Sequence, residues 1–153
     1  SKGPHTRDVC RCAGRPSRGC WKRRAVPERS AFDYAVLRLV PRIEREEFIN
    51  AAVVLFSPAL RYLGCRVELD EARLRALAPG SDVDAIRQHL EGVRAICAGD
   101  RSGGPIAALS LSERFHWLTA PRNTIIQPSP VHAGLCHDPE AMLESLFASL
   151  VRR

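Results

Sequence analysis

The sequence predicts an α+β fold, in which an antiparallel sheet of about four strands is covered by helices on one face. Three β-rich runs with short connections follow one another between residues 31 and 69, and consecutive strands with short links pair antiparallel. Three helical patterns, one more strand and a last helix come after them, which gives the order β-β-β-α-α-α-β-α. Since 45% of the residues are apolar, the chain can bury a core.

The first three strands differ in their pattern of apolar residues. Residues 32–40 are rich in β-branched and aromatic side chains and are followed by Pro41. Residues 49–56 are almost continuously apolar, which is typical of a central strand covered on both faces. Residues 61–69 alternate between apolar and polar, so we expect a half-buried strand. Together these strands are predicted to form a meander.

Capping patterns predict the first two helices. Asp70 is a suitable N-cap for a short helix that ends before Pro79 and Gly80. Ser81 is expected to cap the second helix, and Gly99 is expected to end it, because glycine adopts the left-handed conformation found after helix C-termini.

The C-terminal third carries two more helices and a strand. Residues 110–113, Ser-Leu-Ser-Glu, have the spacing of a capping box and begin a brief helix, in which Trp117 is expected to be a core aromatic. A strand is predicted at residues 123–127. Asp138 is the expected N-cap of the last helix and Pro139 its first residue.

The positive charge of the chain is concentrated at its N-terminus. The formal net charge is +6, but residues 1–30 hold nine basic and two acidic residues, which leaves 14 basic and 15 acidic residues for 31–153. Residues 1–30 have few large apolar side chains, so we expect a disordered basic tail followed by one α+β domain. Three interpretations of the tail stay open: an arm with weak nonspecific affinity for nucleic acid, a metal knuckle formed by its cysteines and His5, or an extension without a role.

Hydropathy and cysteine spacing indicate the compartment. No run approaches the ~18 apolar residues of a membrane span, and the N-terminus lacks a signal-peptide core, so we expect a soluble cytoplasmic protein. Cys65, Cys97 and Cys136 have no disulfide-framework spacing. We therefore expect them to be reduced and mostly buried.

The densest polar chemistry lies in residues 114–139, which hold two arginines, three histidines and four prolines. Arginine favours bidentate contacts to carboxylate or phosphate groups. The residues predicted to bind an anion or a partner are Arg114, His116, Arg122, Thr124, Gln127, Ser129 and His132. In the competing interpretation, the two arginines are structural and hold carboxylates such as Asp33 or Glu47.

Catalytic and metal sites have weaker support. His116 and His132 could serve as acid and base with Ser129 as nucleophile, but no Gly-x-Ser-x-Gly motif exposes this serine. His132, Cys136 and His137 have a possible ligand spacing that no second cluster completes. No phosphate loop or dinucleotide motif occurs. We expect no catalytic residue, no metal and no cofactor.

Four runs of the chain resemble one protein family. They are Phe-Asp-Tyr-Ala-Val-Leu-Arg-Leu-Val-Pro-Arg from Phe32, Arg-Glu-Glu-Phe-Ile-Asn from Arg45, Arg-Phe-His-Trp-Leu-Thr-Ala-Pro-Arg from Arg114, and Ile-Ile-Gln-Pro-Ser-Pro-Val-His-Ala-Gly from Ile125. In this order they resemble domain-of-unknown-function family 3037, over about residues 31–151. The resemblance implies a small bacterial cytoplasmic domain of uncharacterised activity. Members are often encoded beside a kinase-like protein similar to the HipA toxins, so it also implies a HipA-like kinase as partner.

Two hypotheses for the function are consistent with these residues. The first is a non-enzymatic protein-interaction or accessory module that contacts its partner through residues 114–134. The alternative is a small hydrolase or transferase that acts on a phosphate- or carboxylate-bearing substrate through Arg114, His116, Arg122 and His132.

Overall fold

A five-stranded antiparallel sheet forms the centre of the computed structural model, which describes residues 28–152. The strands are β1 (Ser30–Arg42), β2 (Glu47–Ser57), β3 (Tyr62–Val67), β4 (Ile126–Pro128) and β5 (His132–Cys136). The α-helices are α1 (Glu71–Leu77), α2 (Val83–Ala98), α3 (Leu111–Thr119) and α4 (Pro139–Leu150). The sheet order is β3-β2-β1, and both β4 and β5 pair with the free side of β1. The predicted α+β class, the antiparallel sheet and the meander are confirmed.

Helices cover both faces of this sheet. Successive side chains of a strand point to opposite faces, and residues 51–57 of β2 are all buried. On one face Val54 packs with residues of α2 and α3, and on the other Val53 packs with Leu143 and Phe147 of α4. The prediction that the helices share one face was wrong. The continuous apolar run of β2 requires a cover on each side, and α4 provides the second one.

The helix termini follow their local capping chemistry. Asp70 accepts a hydrogen bond from the Arg73 N–H at 3.0 Å, and Gly99 ends α2 with φ 71°. The capping box at the start of α3, and Asp138 with Pro139 at the start of α4, are as predicted. The N-cap of α2 is Asp82, not Ser81, because the Asp82 carboxylate accepts from the Ala85 N–H.

β4 and β5 are two pieces of one edge strand, interrupted at Ser129. β4 pairs with Leu37–Leu39 and β5 with Ser30–Tyr34 of β1. Between them, the Ser129 N–H donates to the Val36 carbonyl at 2.8 Å, and the Val36 N–H donates to Ser129 Oγ at 2.9 Å. The strand predicted at residues 123–127 is displaced to Ile126–Pro128, and β5 was not predicted.

β1 begins at Ser30, close to the expected boundary of the domain. The disordered tail predicted for residues 1–30 falls, as far as residue 27, outside the described residues. In residues 28–152, no helix has the length and apolar character needed to cross a membrane.

Candidate functional site

Helix α3 and the segment after it form one wall of a groove on the outside of the molecule. Phe115 and Leu118 of α3 are buried in the core, each with 2% of its surface exposed. Side chains one or two positions away on a helix point in other directions, and Trp117 accordingly keeps 39% of its surface exposed. The expectation that Trp117 is a core aromatic was wrong.

We call this cavity the Trp117 groove. It has a volume of about 600 Å³ and lies between α2, α3 and residues 122–126. Its walls include Ile43, Val93, Ile96, Trp117, Ile125 and Ile126, with His89 and Arg122 as charged or titratable groups. Three of the apolar side chains, Ile43, Trp117 and Ile125, are each exposed by 37 to 39%. Clustered exposed apolar surface of this kind is typical of binding sites.

A glycine in α2 contributes to the depth of the groove. Gly92 lies in the middle of the helix, and a Cβ atom at this position would meet nothing within 4 Å. Glycine inside a helix costs ~1 kcal/mol relative to alanine, and here alanine would fit without a clash. The fold itself therefore has no need of a glycine at position 92.

Arg122 lies at the rim of the groove and is held by α3. Its guanidinium carbon is 4.5 Å from the centre of the Trp117 ring, and the group donates hydrogen bonds to the carbonyls of Trp117 and Ala120. Partial burial lowers the pKa of Arg122, although an arginine this accessible stays charged. Within residues 28–152, no carboxylate forms an ion pair with it.

Arg114 lies beneath the surface and caps a different helix. Only 8% of it is exposed, and Nη1 donates to the carbonyls of Ile96 (2.9 Å) and Cys97 (3.1 Å) in the last turn of α2. Helix C-termini leave such carbonyls without partners and attract positive charge. The carboxylate partners considered from the sequence are not used, since Glu47 pairs with Arg45 at 2.7 Å.

The other predicted site residues are spread over the molecule. Thr124 lines the groove and donates to the Ile126 carbonyl at 2.8 Å. His116 is exposed on α3, with Nδ1 2.6 Å from the Ser112 carbonyl oxygen. Ser129 is buried in the edge strand, and Gln127 lies opposite Arg38 of β1.

His132 lies on the other side of the sheet from the groove. Its ring centre is 5.3 Å from that of Tyr34, which packs in the cluster formed with α4. The structure therefore brings Arg122 and Thr124 together, places Arg114 below them, and separates His132 from all three.

A family model identifies the chain. The model, described as "Protein of unknown function (DUF3037)", matches residues 34–151. The chain belongs to the DUF3037 family. No match was found among curated proteins or among solved structures.

The four runs that resembled DUF3037 come together in space. The run from Phe32 forms β1, the run from Arg45 leads into β2, and the run from Ile125 forms the interrupted edge strand beside β1. The run from Arg114 forms most of α3 and ends at Arg122. The DUF3037 runs thus correspond to three neighbouring strands and one wall of the Trp117 groove.

Ile43, His89 and Gly92 are among the groove residues of this DUF3037 chain that were not predicted from the sequence. Ile43 is a single large apolar residue in a charged segment, which is a pattern that can indicate an exposed contact. His89 and Gly92 lie in α2, for which only the two ends were predicted from the sequence. The isolated glycine within a regular helical pattern was the available clue.

Proposed function

We propose that this chain is a non-enzymatic accessory module that binds a partner protein through the Trp117 groove. The observation that carries the proposal is the cluster of exposed apolar side chains, Ile43, Trp117 and Ile125, beside Gly92, a position where alanine would fit and would favour the helix. Proteins keep such locally unfavourable residues where function requires them. The exposed apolar side chains around Gly92 indicate that the groove receives an apolar side chain of the partner.

The charges of the groove define the chemistry of the partner. Arg122 is fixed on the Trp117 ring without a carboxylate partner among the described residues. A segment that inserts a large apolar side chain between Ile43, Trp117 and Ile125, and carries a carboxylate beside it, complements both features. We propose a HipA-like kinase as the protein that supplies this segment, because the resemblance to the DUF3037 family implies such a partner.

The enzymatic alternative has less support in this geometry. It needs Arg114, His116, Arg122 and His132 to act on one substrate. Arg114 Nη1 is bonded to helix carbonyls, and His132 lies across the sheet from Arg122. Acid-base groups must be within hydrogen-bond reach of the same reacting atoms. This separation favours an interaction module over a hydrolase or transferase.

The deciding experiment fills the groove without damaging the fold. Gly92→Leu places a side chain in the groove, and it should weaken binding to the HipA-like kinase encoded in the same genome by at least ~10-fold, as calorimetry would measure. Trp117→Ala should weaken binding by ~30-fold if the ring is an anchor. The melting temperature of Gly92→Leu should not fall, because glycine is the poorer helix former.

Leu135→Asp is the matched control. Leu135 is 58% exposed and lies on β5, outside the groove. It should leave the affinity unchanged. If Leu135→Asp abolishes binding while Gly92→Leu and Trp117→Ala bind normally, the groove is not the contact surface. If the unaltered chain itself does not bind the kinase, the HipA-like partner is wrong.

A further inference from the structure

A second cavity runs along the outer edge of β3 and contains two cysteines. It has a volume of about 540 Å³, and both Cys65 of β3 and Cys97 of α2 line it. It is distinct from the Trp117 groove, with which it shares no lining residue. Neither thiol takes part in the proposed partner binding, so the chemistry of this pair is independent of that binding.

The two thiols face each other between the sheet and α2. Cys65 lies on the sheet face that α2 covers, and it packs against the core cluster that contains Cys97. The two thiols are close enough to shift each other's pKa. Cys65 is partly accessible from the cavity, whereas only 6% of Cys97 is exposed. An oxidant that enters the cavity therefore meets Cys65 first.

The surroundings give the two sulfurs different chemistry. The neighbouring Cys97 thiol, with help from the nearby Arg94 and Arg66, lowers the pKa of Cys65. The neighbouring Cys65 thiol and burial raise the pKa of Cys97. The thiolate is the reactive form of cysteine, and Cys65 is the more accessible of the two thiols, so Cys65 is the nucleophile.

We propose that Cys65 and Cys97 form a redox-active dithiol that hydrogen peroxide converts into a disulfide between β3 and α2. In the first step the Cys65 sulfur attacks one peroxide oxygen and the O–O bond breaks, so that Cys65 becomes a sulfenic acid, and the other oxygen leaves as hydroxide and takes up the proton lost by the Cys65 thiol to become water. In the second step the Cys97 sulfur attacks the Cys65 sulfur, the S–OH bond breaks, and the Cys97 proton leaves with the hydroxyl as water. Two thiols are oxidised and one peroxide is reduced to two waters.

To test this, the unaltered protein is treated with hydrogen peroxide and its free thiols are then blocked. Its tryptic peptides are mapped by mass spectrometry without reducing the disulfides. Cleavage after arginine places Cys65 in the peptide 62–66 and Cys97 in the peptide 95–101. We expect these two peptides linked to each other, with a mass about 2 Da below their sum. Cys136, which is buried and whose pKa is raised by burial, is the internal control and should remain a free thiol.

Two variants separate the steps. In Cys97→Ala, the Cys65 sulfenic acid should accumulate and be trapped by dimedone. In Cys65→Ser, Cys97 should stay unmodified, because the exposed nucleophile is gone. The proposal is overturned if peptides 62–66 and 95–101 stay unlinked under peroxide, if Cys65 links instead to a cysteine of residues 1–30, or if Cys97 oxidises as fast in Cys65→Ser as in the unaltered protein.

Discussion

Arg114→Met should destabilise the fold far more than the same change at Arg122. Methionine matches the length of the arginine stem but donates no hydrogen bond, so the carbonyls of Ile96 and Cys97 lose the Nη1 group that now lies 2.9 and 3.1 Å from them. Those carbonyls belong to the last turn of α2 and are covered by Arg114 itself.

The magnitude follows from the contacts of Arg114. Hydrogen bonds from a charged donor contribute ~1.5–3 kcal/mol each, and a positive charge at a helix C-terminus adds ~0.5 kcal/mol. Arg114→Met also removes a buried guanidinium whose Nε has no hydrogen-bond partner among the described residues. The variant avoids the cost of burying this polar group, which offsets the loss of stability by roughly 1–2 kcal/mol. The net loss is ~3 kcal/mol, which for a domain of this size lowers the melting temperature by ~12 °C.

Arg122→Met is the matched comparison. Arg122 is partly exposed, and it loses a cation–π contact and hydrogen bonds at the surface, which together contribute ~1 kcal/mol. Thermal and urea unfolding of both variants measure the difference. Equal losses, or a loss below ~1 kcal/mol for Arg114→Met, would refute the assignment of Arg114 to the fold and Arg122 to the groove.

Three further changes have clear expected outcomes. Ser129→Ala leaves the buried Val36 N–H without its Oγ acceptor and should cost ~1–3 kcal/mol in urea unfolding, whereas Ser129→Thr keeps the hydroxyl and should cost less. Ser110→Ala should destabilise α3 at neutral pH. Bonds from the Ser110 hydroxyl and N–H hold the pKa of Glu113 below its ordinary value, so this stabilisation is present above the unfolded pKa of ~4.3 and is lost as the pH falls through the folded value. The difference between Ser110→Ala and the unaltered chain should therefore shrink in an acid titration. Deleting residues 1–27 should leave the melting temperature unchanged, since they contain few large apolar side chains; a loss above ~2 kcal/mol would show that they dock.

Local chemistry made the helices predictable. Their caps are formed by residues within three or four positions, as with Asp70, Ser110 and Asp138, so the sequence contains both the donor and the acceptor. The one error, Ser81 for Asp82, exchanged two adjacent residues that are both good caps. The two-sided burial of β2 was also visible in its composition, and it contradicted the expectation that the helices share one face.

Long-range pairing made the candidate site harder to predict. β5 is not recognisable without knowledge of its partner strand β1. Its glycine, Gly134, lies against the Phe32 ring of β1, and a Cβ atom at position 134 would come within 2.7 Å of that ring. Without that pairing, His132 cannot be assigned to a face of the sheet. From the sequence, Arg122 and His132 were expected on one surface because both lie in the proline-containing run of residues 114–139. The interruption at Ser129 and the register of β5 with β1 instead place His132 on the opposite face of the sheet, beside Tyr34.

The break in the edge strand also affects how this molecule behaves in concentrated solution. An unpaired strand edge can add a strand from a neighbouring molecule and so begin polymerisation. Pro128 and Pro130 flank Ser129 and have no N–H to offer, and Ser129 turns its own N–H inward to Val36. Within the described residues no strand pairs with the outer side of β4 or β5, so this edge is open but lacks a continuous row of donors. Val131 and Leu135 can therefore be exposed beside it without making the sheet a template for fibril growth.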